Sequence, residues 1–244
     1  YSKSYRKYAG KYNLYFYGTV NCESGTVTVA TLEINFAKEE AVTMKIATSE
    51  GGEKLYYGDL QISEMSPNVF IVLNSDFGEQ VSLTFYDEPM NCETFQCAVG
   101  AMLSISAGDL KRAPVLNRFI ITGYDVDEAH MKFIKAHLKL NTKYIDISPE
   151  MLSTSVEGVF GKCEMADRIT DRLKKAFYSK RYYAIEDSFI VNTLRKDENL
   201  SLRQADELIA ELRNNSLSNI NFKINKSLDS TVYRCTNPKN ISQE

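Results

Sequence analysis

An arginine set between apolar neighbours marks the place where this sequence comes closest to stating a chemistry. In the run Val115 to Ile121, Leu116, Arg118 and Ile120 fall on one side of a period-two pattern; Val115, Asn117, Phe119 and Ile121 fall on the other. If the first side faces inward, the guanidinium needs an anionic partner, because a lone buried charge is costly. Its planar fork suits a phosphate or a carboxylate. If the second side is the core, Arg118 belongs to a surface strand. Tyr12, Tyr15, Tyr17, Tyr56, Tyr57 and Tyr86 offer ring faces to a nucleobase, and Asp59 and Asn117 offer hydrogen bonds to a base or ribose. Against that, tyrosine packs well across strands, and short polar side chains mostly face solvent. A sensing role would draw its ligand-binding set from Arg118, Tyr57, Asp59, Asn117 and Tyr15.

The other reactive residues do not assemble into a catalytic pattern. Cys22, Cys92, Cys97, Cys163 and Cys235 are odd in number and irregular in spacing, which suits free thiols in a reducing cytoplasm. His130 and His137 share a helical face but stand two turns apart, too far for an i, i+4 zinc pair. No GxSxG, P-loop, HExxH or GxGxxG is present, and no spacing supports a Cys163–His137 pair. The sequence therefore leans away from an enzyme and asks for no cofactor or metal. Arg168, Arg172, Lys174 and Lys175, continued by Lys180 and Arg181, make its one dense basic cluster. It reads either as a solvated helix face or as a patch, through Arg168, Arg172 and Lys175, for nucleic acid or a partner.

Bulk properties narrow the classes. The 244 residues are 43% apolar, enough for a sizeable core, and the net charge of −3 argues against a general nucleic-acid coat. No apolar run approaches the roughly 18 residues that span a bilayer, so a soluble chain is expected. The chain opens on Tyr1 rather than Met, which leaves room for a preceding anchor, effector or DNA-binding module.

The elements that must position these residues divide at about residue 124. Before it, eight strands are predicted: Tyr12 to Tyr17, Val27 to Phe36, Val42 to Ile46, Leu55 to Ile62, Val69 to Leu73, Val81 to Tyr86, Val99 to Ile105 and Val115 to Ile121. Val27 and Val29 are out of phase with Leu32, Ile34 and Phe36, which predicts a β-bulge in the second strand. Gly18, Gly58 and Gly100 interrupt strands and suggest wall kinks or close approach of a ligand. Short connections force antiparallel neighbours, so residues 1–124 are expected to form an eight-stranded up-and-down β-barrel, a sandwich being the alternative. Residues 125–244 read as helical, an α+β chain overall. Helices are expected over Asp125 to Leu138, from Pro149, over Glu164 to Tyr178, over Ala184 to Leu194, and from the Ser201–Gln204 capping box through Arg213. Tyr144 to Ile147 is extended, Gly158 and Gly161 suggest a hinge loop, and a terminal hairpin is expected from Ile220 to Cys235. Helices followed by a hairpin also suit a winged helix, but Asn214 to Asn219 is short for a recognition helix.

The wording of the strands adds a resemblance. Tyr8-Ala9-Gly10-Lys11-Tyr12, Tyr56-Tyr57-Gly58-Asp59-Leu60, Val69 to Leu73, Val81 to Phe85, Gly100 to Ser106, and Pro114-Val115 with Arg118 resemble small β-barrel sensor domains of bacterial regulators and anti-phage effectors. The nearest in function are cyclic-nucleotide-binding barrels of membrane-disrupting effectors; in architecture the expectation is similar to lipocalins and avidins. The resemblance covers residues 8–121. Those effectors carry transmembrane helices ahead of the barrel, whereas here none is visible and a long segment follows it. It implies a sensor whose barrel holds a small anionic, nucleotide-type second messenger, with the helical half relaying occupancy by packing or as a homo-oligomer. The competing expectation is a regulator or interaction module whose helical half binds DNA or a partner, the barrel serving as scaffold.

Overall fold

The computed structural model of the chain describes residues 3–19, 25–48, 51–63, 65–87, 94–106, 112–140, 144–177, 182–217 and 222–223. After a single turn, α1 (Lys3–Arg6), come β1 (Gly10–Tyr17), β2 (Val27–Ile34), β3 (Val42–Ala47), β4 (Glu53–Ile62), β5 (Asn68–Asn74), β6 (Gln80–Tyr86), β7 (Cys97–Ile105) and β8 (Pro114–Thr122). Each pairs antiparallel with the next, and β1 returns to β8 through Asn13–Thr122, Leu14–Ile121, Tyr15–Ile120 and Phe16–Phe119. This is the closed eight-stranded up-and-down barrel.

Alternation decides what faces the lumen. Leu14, Leu32, Met44, Ile71, Leu83, Met102, Phe119 and Ile121 point inward and are buried. An eight-stranded barrel is narrow enough for side chains to fill, and here they form one apolar cluster across all eight strands. One end is plugged by rings: Phe95 lies 5.1 Å from Tyr8, 5.3 Å from Tyr12 and 5.5 Å from Phe85, centroid to centroid. The Tyr12 hydroxyl donates to the Tyr8 carbonyl (2.9 Å), and burial pushes its pKa up to about 12. At the other end Glu79 accepts from Tyr56, Lys54 and Arg112. Partial burial would raise the Glu79 pKa, but the Tyr56 hydroxyl and the two cations outweigh it and hold the carboxyl low.

Two details differ from the strand reading. β2 carries no bulge: its register to β1 runs unbroken from Gly10–Ile34 to Tyr17–Val27. Val27 and Val29 are simply outward residues, Val27 against a helix and Val29 exposed, while Ala30, Leu32 and Ile34 keep the inward phase. The strand glycines meet the protein itself. A Cβ at Gly58 would fall 1.9 Å from the Val72 carbonyl oxygen; one at Gly100 would fall 2.3 Å from the Thr84 oxygen and 2.5 Å from the Phe119 ring.

The second half contains α2 (Met131–Leu138), β9 (Tyr144–Ile147), α3 (Pro149–Phe160), α4 (Glu164–Ala176), β10 (Tyr183–Glu186), α5 (residues 187–197), α6 (Leu202–Asn214) and β11 (Phe222–Lys223). The middle of α5, Ile190–Leu194, is a π turn. Ser148 caps α3 by accepting from Met151 N, and Ser201 with Gln204 forms the expected capping box on α6. The predicted helix from Ala184 starts three residues later, because Tyr183–Glu186 pairs with β9, Ile185 opposite Ile145. Gly158 lies inside α3, which ends at Gly161 with φ 73°. The second core gathers Ile145, Leu152, Ile169, Leu173, Ile185, Leu194, Leu208 and Leu212. The only described part of the expected terminal hairpin, Phe222–Lys223, pairs with Leu116 and Val115 of β8; its remainder, and the positions of Cys22, Cys92, Cys235, Lys180 and Arg181, lie outside the described residues.

The halves meet on the barrel's outer wall. Ile134 and Leu138 of α2 cover Tyr15, Tyr17 and Ile120, and the Tyr17 hydroxyl donates to the Lys135 carbonyl (2.9 Å). Two cations cap helix C-termini here, Arg118 from the barrel wall and Lys139 from α2 to α6 within the helical half, where exposed carbonyls favour positive charge. Arg118 Nη1 donates to the His137 carbonyl at the end of α2 (3.3 Å), and Lys139 Nζ donates to the Asn214 carbonyl at the end of α6 (2.5 Å). Burial pushes the Lys139 ammonium down to about 8. Burial, and then the Arg213 charge, lower the Arg118 pKa from its usual range.

Candidate functional site

The residues singled out from sequence do not converge. Arg118 lies on the outer wall of β8, against α2, so the reading with Val115, Asn117, Phe119 and Ile121 as the core side is the observed one. Asn117 does face the lumen; it is 1% exposed, and neither its Oδ1 nor its Nδ2 has a partner among the described residues. Tyr15 is buried on the outer wall beneath α2. Tyr57 and Asp59 are on the outer side of β4, where Tyr57 borders a shallow depression of about 550 Å³ with Glu33, Lys38 and Lys45. On α4 and α5, Arg168 and Arg172 both bond Glu198 (3.3 and 3.1 Å), and Arg172 also bonds Asp197. The Glu198 bond, followed by Asp197, raises the Arg172 pKa. Carboxylates thus neutralise much of the basic face, and of the three only Lys175 stands exposed with no ion pair among the described residues.

What does converge is a groove of about 820 Å³ bordered by α2, α5 and α6. Helical spacing builds two walls: His130, Phe133 and His137 recur at intervals of three and four along α2 and its lead-in, and Leu202, Asp206 and Ile209 do so along α6. Asp187 and Val191 of α5 and Arg203 of α6 complete the lining. Val191 belongs to the π turn, a kind of irregularity that recurs at functional sites, and its carbonyl accepts from Arg195 Nε (3.1 Å).

The polar atoms of this lining are oriented. His137 Nδ1 lies 2.8 Å from the Phe133 carbonyl, an acceptor, so Nδ1 carries the hydrogen and Nε2 of the neutral ring is left to accept. His130 Nδ1 lies 2.6 Å from Asp127 Oδ1, which fixes its ring in the same sense and lowers the Asp127 pKa. Asp127 also accepts from His130 N (2.9 Å), capping the turn that leads into α2. The His130 and Phe133 rings stack, 6.3 Å apart at 25°. Asp187 Oδ2 pairs with Arg213, while Asp187 Oδ1 and Arg213 Nε are buried without partners among the described residues. The groove is thus an apolar strip of Phe133, Val191, Leu202 and Ile209, flanked by acceptors at His137, Asp187 and Asp206 and by one cation, Arg203. Among the described residues no three His, Cys, Asp or Glu side chains are close enough to hold a metal.

Sequence reasoning found the shared face of His130 and His137 but had no partner for it. The partners, Asp187, Val191, Asp206 and Ile209, come from helices fifty or more positions downstream, which only the tertiary fold brings alongside. Compared with protein-family models, curated proteins and solved structures, the chain finds no match.

Proposed function

We propose that this is a regulatory binding protein whose recognition site is the groove between α2, α5 and α6, with the barrel as the scaffold on which α2 is seated. The observation that carries the reading is that one short helix has two faces in use. Ile134 and Leu138 pack on the barrel wall, while Phe133 and His137 line the groove. A ligand touching Phe133 and His137 bears on the helix that joins the halves, which gives occupancy a physical route to the barrel. The lining favours a planar apolar body on Phe133 and Ile209, an edge of N–H donors toward His137 and Asp206, and an anionic end toward Arg203, whose exposed guanidinium also pairs with Glu207 (3.3 Å). A nucleotide-type second messenger has that pattern.

Two other placements have less support. A ligand in the lumen would have to displace Leu83, Met102 and Phe119, which fill it. Nucleic acid on α4 would have to compete with Asp197 and Glu198 for Arg168 and Arg172. The test is native mass spectrometry of the purified protein beside Asp206→Arg, an exposed substitution at the groove. A copurified small molecule on the parent that is missing from the variant supports the groove. A molecule retained equally by both argues against it.

A further inference from the structure

The barrel's outer wall has three sectors of different chemistry. The sector around β1 and the end of β8 is covered by α2. The sector over β2, β3 and β4 is studded with charge: Glu33, Lys45, Glu53 and Asp59. The remaining sector, over β5, β6, β7 and the start of β8 beside β11, is covered by no other helix or strand among the described residues and carries no charged residue at any outward strand position before Arg118.

That sector is uncharged and mostly apolar on β5, β7 and β8, with the outward row of β6, Gln80, Ser82, Thr84 and Tyr86, running between. Phe70 and Val72 on β5 are 42% and 43% exposed, Val99, Leu103 and Ile105 on β7 are 47%, 52% and 40%, and Leu116 on β8 is 37%. The register makes them neighbours: Leu103 stands opposite Leu116, and Ser82 of β6 lies between Val72 and Leu103. A monomer normally breaks up such a surface with charge.

We propose that this face is a homodimer interface, formed by packing the β5–β8 walls of two copies across a two-fold axis. Two arguments select a second copy as the occupant. An isologous interface puts each residue near the axis against its own kind, so a face without charge is self-complementary where the β2–β4 sector is not. Size fits a weak association. Three strands spaced about 4.8 Å apart and about 25 Å long, with the first half of β8, give a footprint of roughly 400 Å² per copy. Two copies bury roughly 800 Å², in the range of weak, transient interfaces. That is a modest area, so the dimer should dissociate on dilution rather than behave as an obligate unit.

The test is sedimentation velocity over a concentration series for the parent, Leu103→Glu, Val72→Lys and a control, Thr31→Glu, on the exposed wall of β2. All three positions are at the surface, and thermal melts establish that each variant folds. The parent is expected to show a concentration-dependent dimer. Leu103→Glu and Val72→Lys each enter the interface twice, so each should weaken it by roughly a hundredfold, about tenfold per copy. Thr31→Glu should leave it unchanged. A parent that stays monomeric at high micromolar concentration would overturn the proposal, as would a dimer equally tight in Leu103→Glu. If that monomer bound phosphatidylcholine vesicles, the face would instead be a lipid contact. Dimerisation lost only in Thr31→Glu would move the interface to the charged sector.

Discussion

Replacing Asn117 by leucine asks whether the lumen is a packed core or a receptor. The amide is 1% exposed, sits among apolar side chains and makes no hydrogen bond among the described residues. Burying an amide without a partner costs about 1–3 kcal/mol by the measure of protein substitutions. Leucine removes that penalty and adds apolar contacts, offset in part by the strain of fitting a branched side chain beside Met102 and Phe119. The net expectation is a gain of roughly 1–2 kcal/mol, or about 2–8 °C in Tm for a chain of this size. Asn117→Asp should do the reverse, since a carboxylate there would be buried among apolar neighbours with no bonding partner among the described residues. Calorimetric melts and urea unfolding at neutral pH read both variants. If Asn117→Leu melts below the parent, the amide has a partner in solution. The lumen would then hold a polar guest, and the account of the barrel as scaffold would fail.

Three further outcomes follow from the geometry. Gly100→Ala should cost roughly 3 kcal/mol or more in urea unfolding, because the new methyl meets the Thr84 carbonyl and the Phe119 ring at once; a loss under about 1 kcal/mol would show that the strand relaxes freely. Arg118→Ala should lower stability by about 1 kcal/mol through loss of the cap on α2, with Arg118→Lys losing less; an alanine variant as stable as the parent would remove the clamp. Stability should also rise with pH above 8. Lys139 is held at about 8 in the fold against 10.5 unfolded, so between those values the unfolded chain binds the extra proton and folding is favoured as pH rises, by roughly 3 kcal/mol at most. Tyr12 and Tyr17, pushed up to about 12 by burial, act oppositely. They keep protons that the unfolded chain loses from about pH 10, so stability falls again toward pH 12. Lys139→Met should abolish the rising limb in urea unfolding at pH 7.5, 9 and 10, and persistence of the limb would assign it elsewhere.

The strands were legible because period-two burial writes itself into sequence. Val69, Ile71 and Leu73 alternate with Phe70, Val72 and Asn74, and the pattern holds although two of the outward residues are apolar. The same outward apolar residues caused the error in β2, where Val27 and Val29 mimicked a change of phase. Tyr183–Glu186 was misread for a different reason. Ala184 and Ile185 fit a helical stripe, and their pairing with β9 depends on a partner almost forty residues upstream. Ser201 was readable as a cap, and Pro149 as a helix start, because both are local chemistry. The groove was not, since no local pattern announces that α2 and α6 will lie side by side. Arg118 was ambiguous because a strand's two faces are equivalent until a core chooses between them.

The chain carries two histidines, both on the groove, and buried methionines at Met44 and Met102 in the lumen. Nuclear magnetic resonance of protein labelled in histidine rings and methionine methyls therefore reports on the two candidate sites separately. Titrated with cyclic mono- and dinucleotides, the protein is expected to show ring resonances of His130 and His137 that move together and saturate, while the Met44 and Met102 methyls stay in place. Saturable shifts of Met44 and Met102 with the histidines unmoved would put the ligand in the lumen and contradict the groove as the site of recognition.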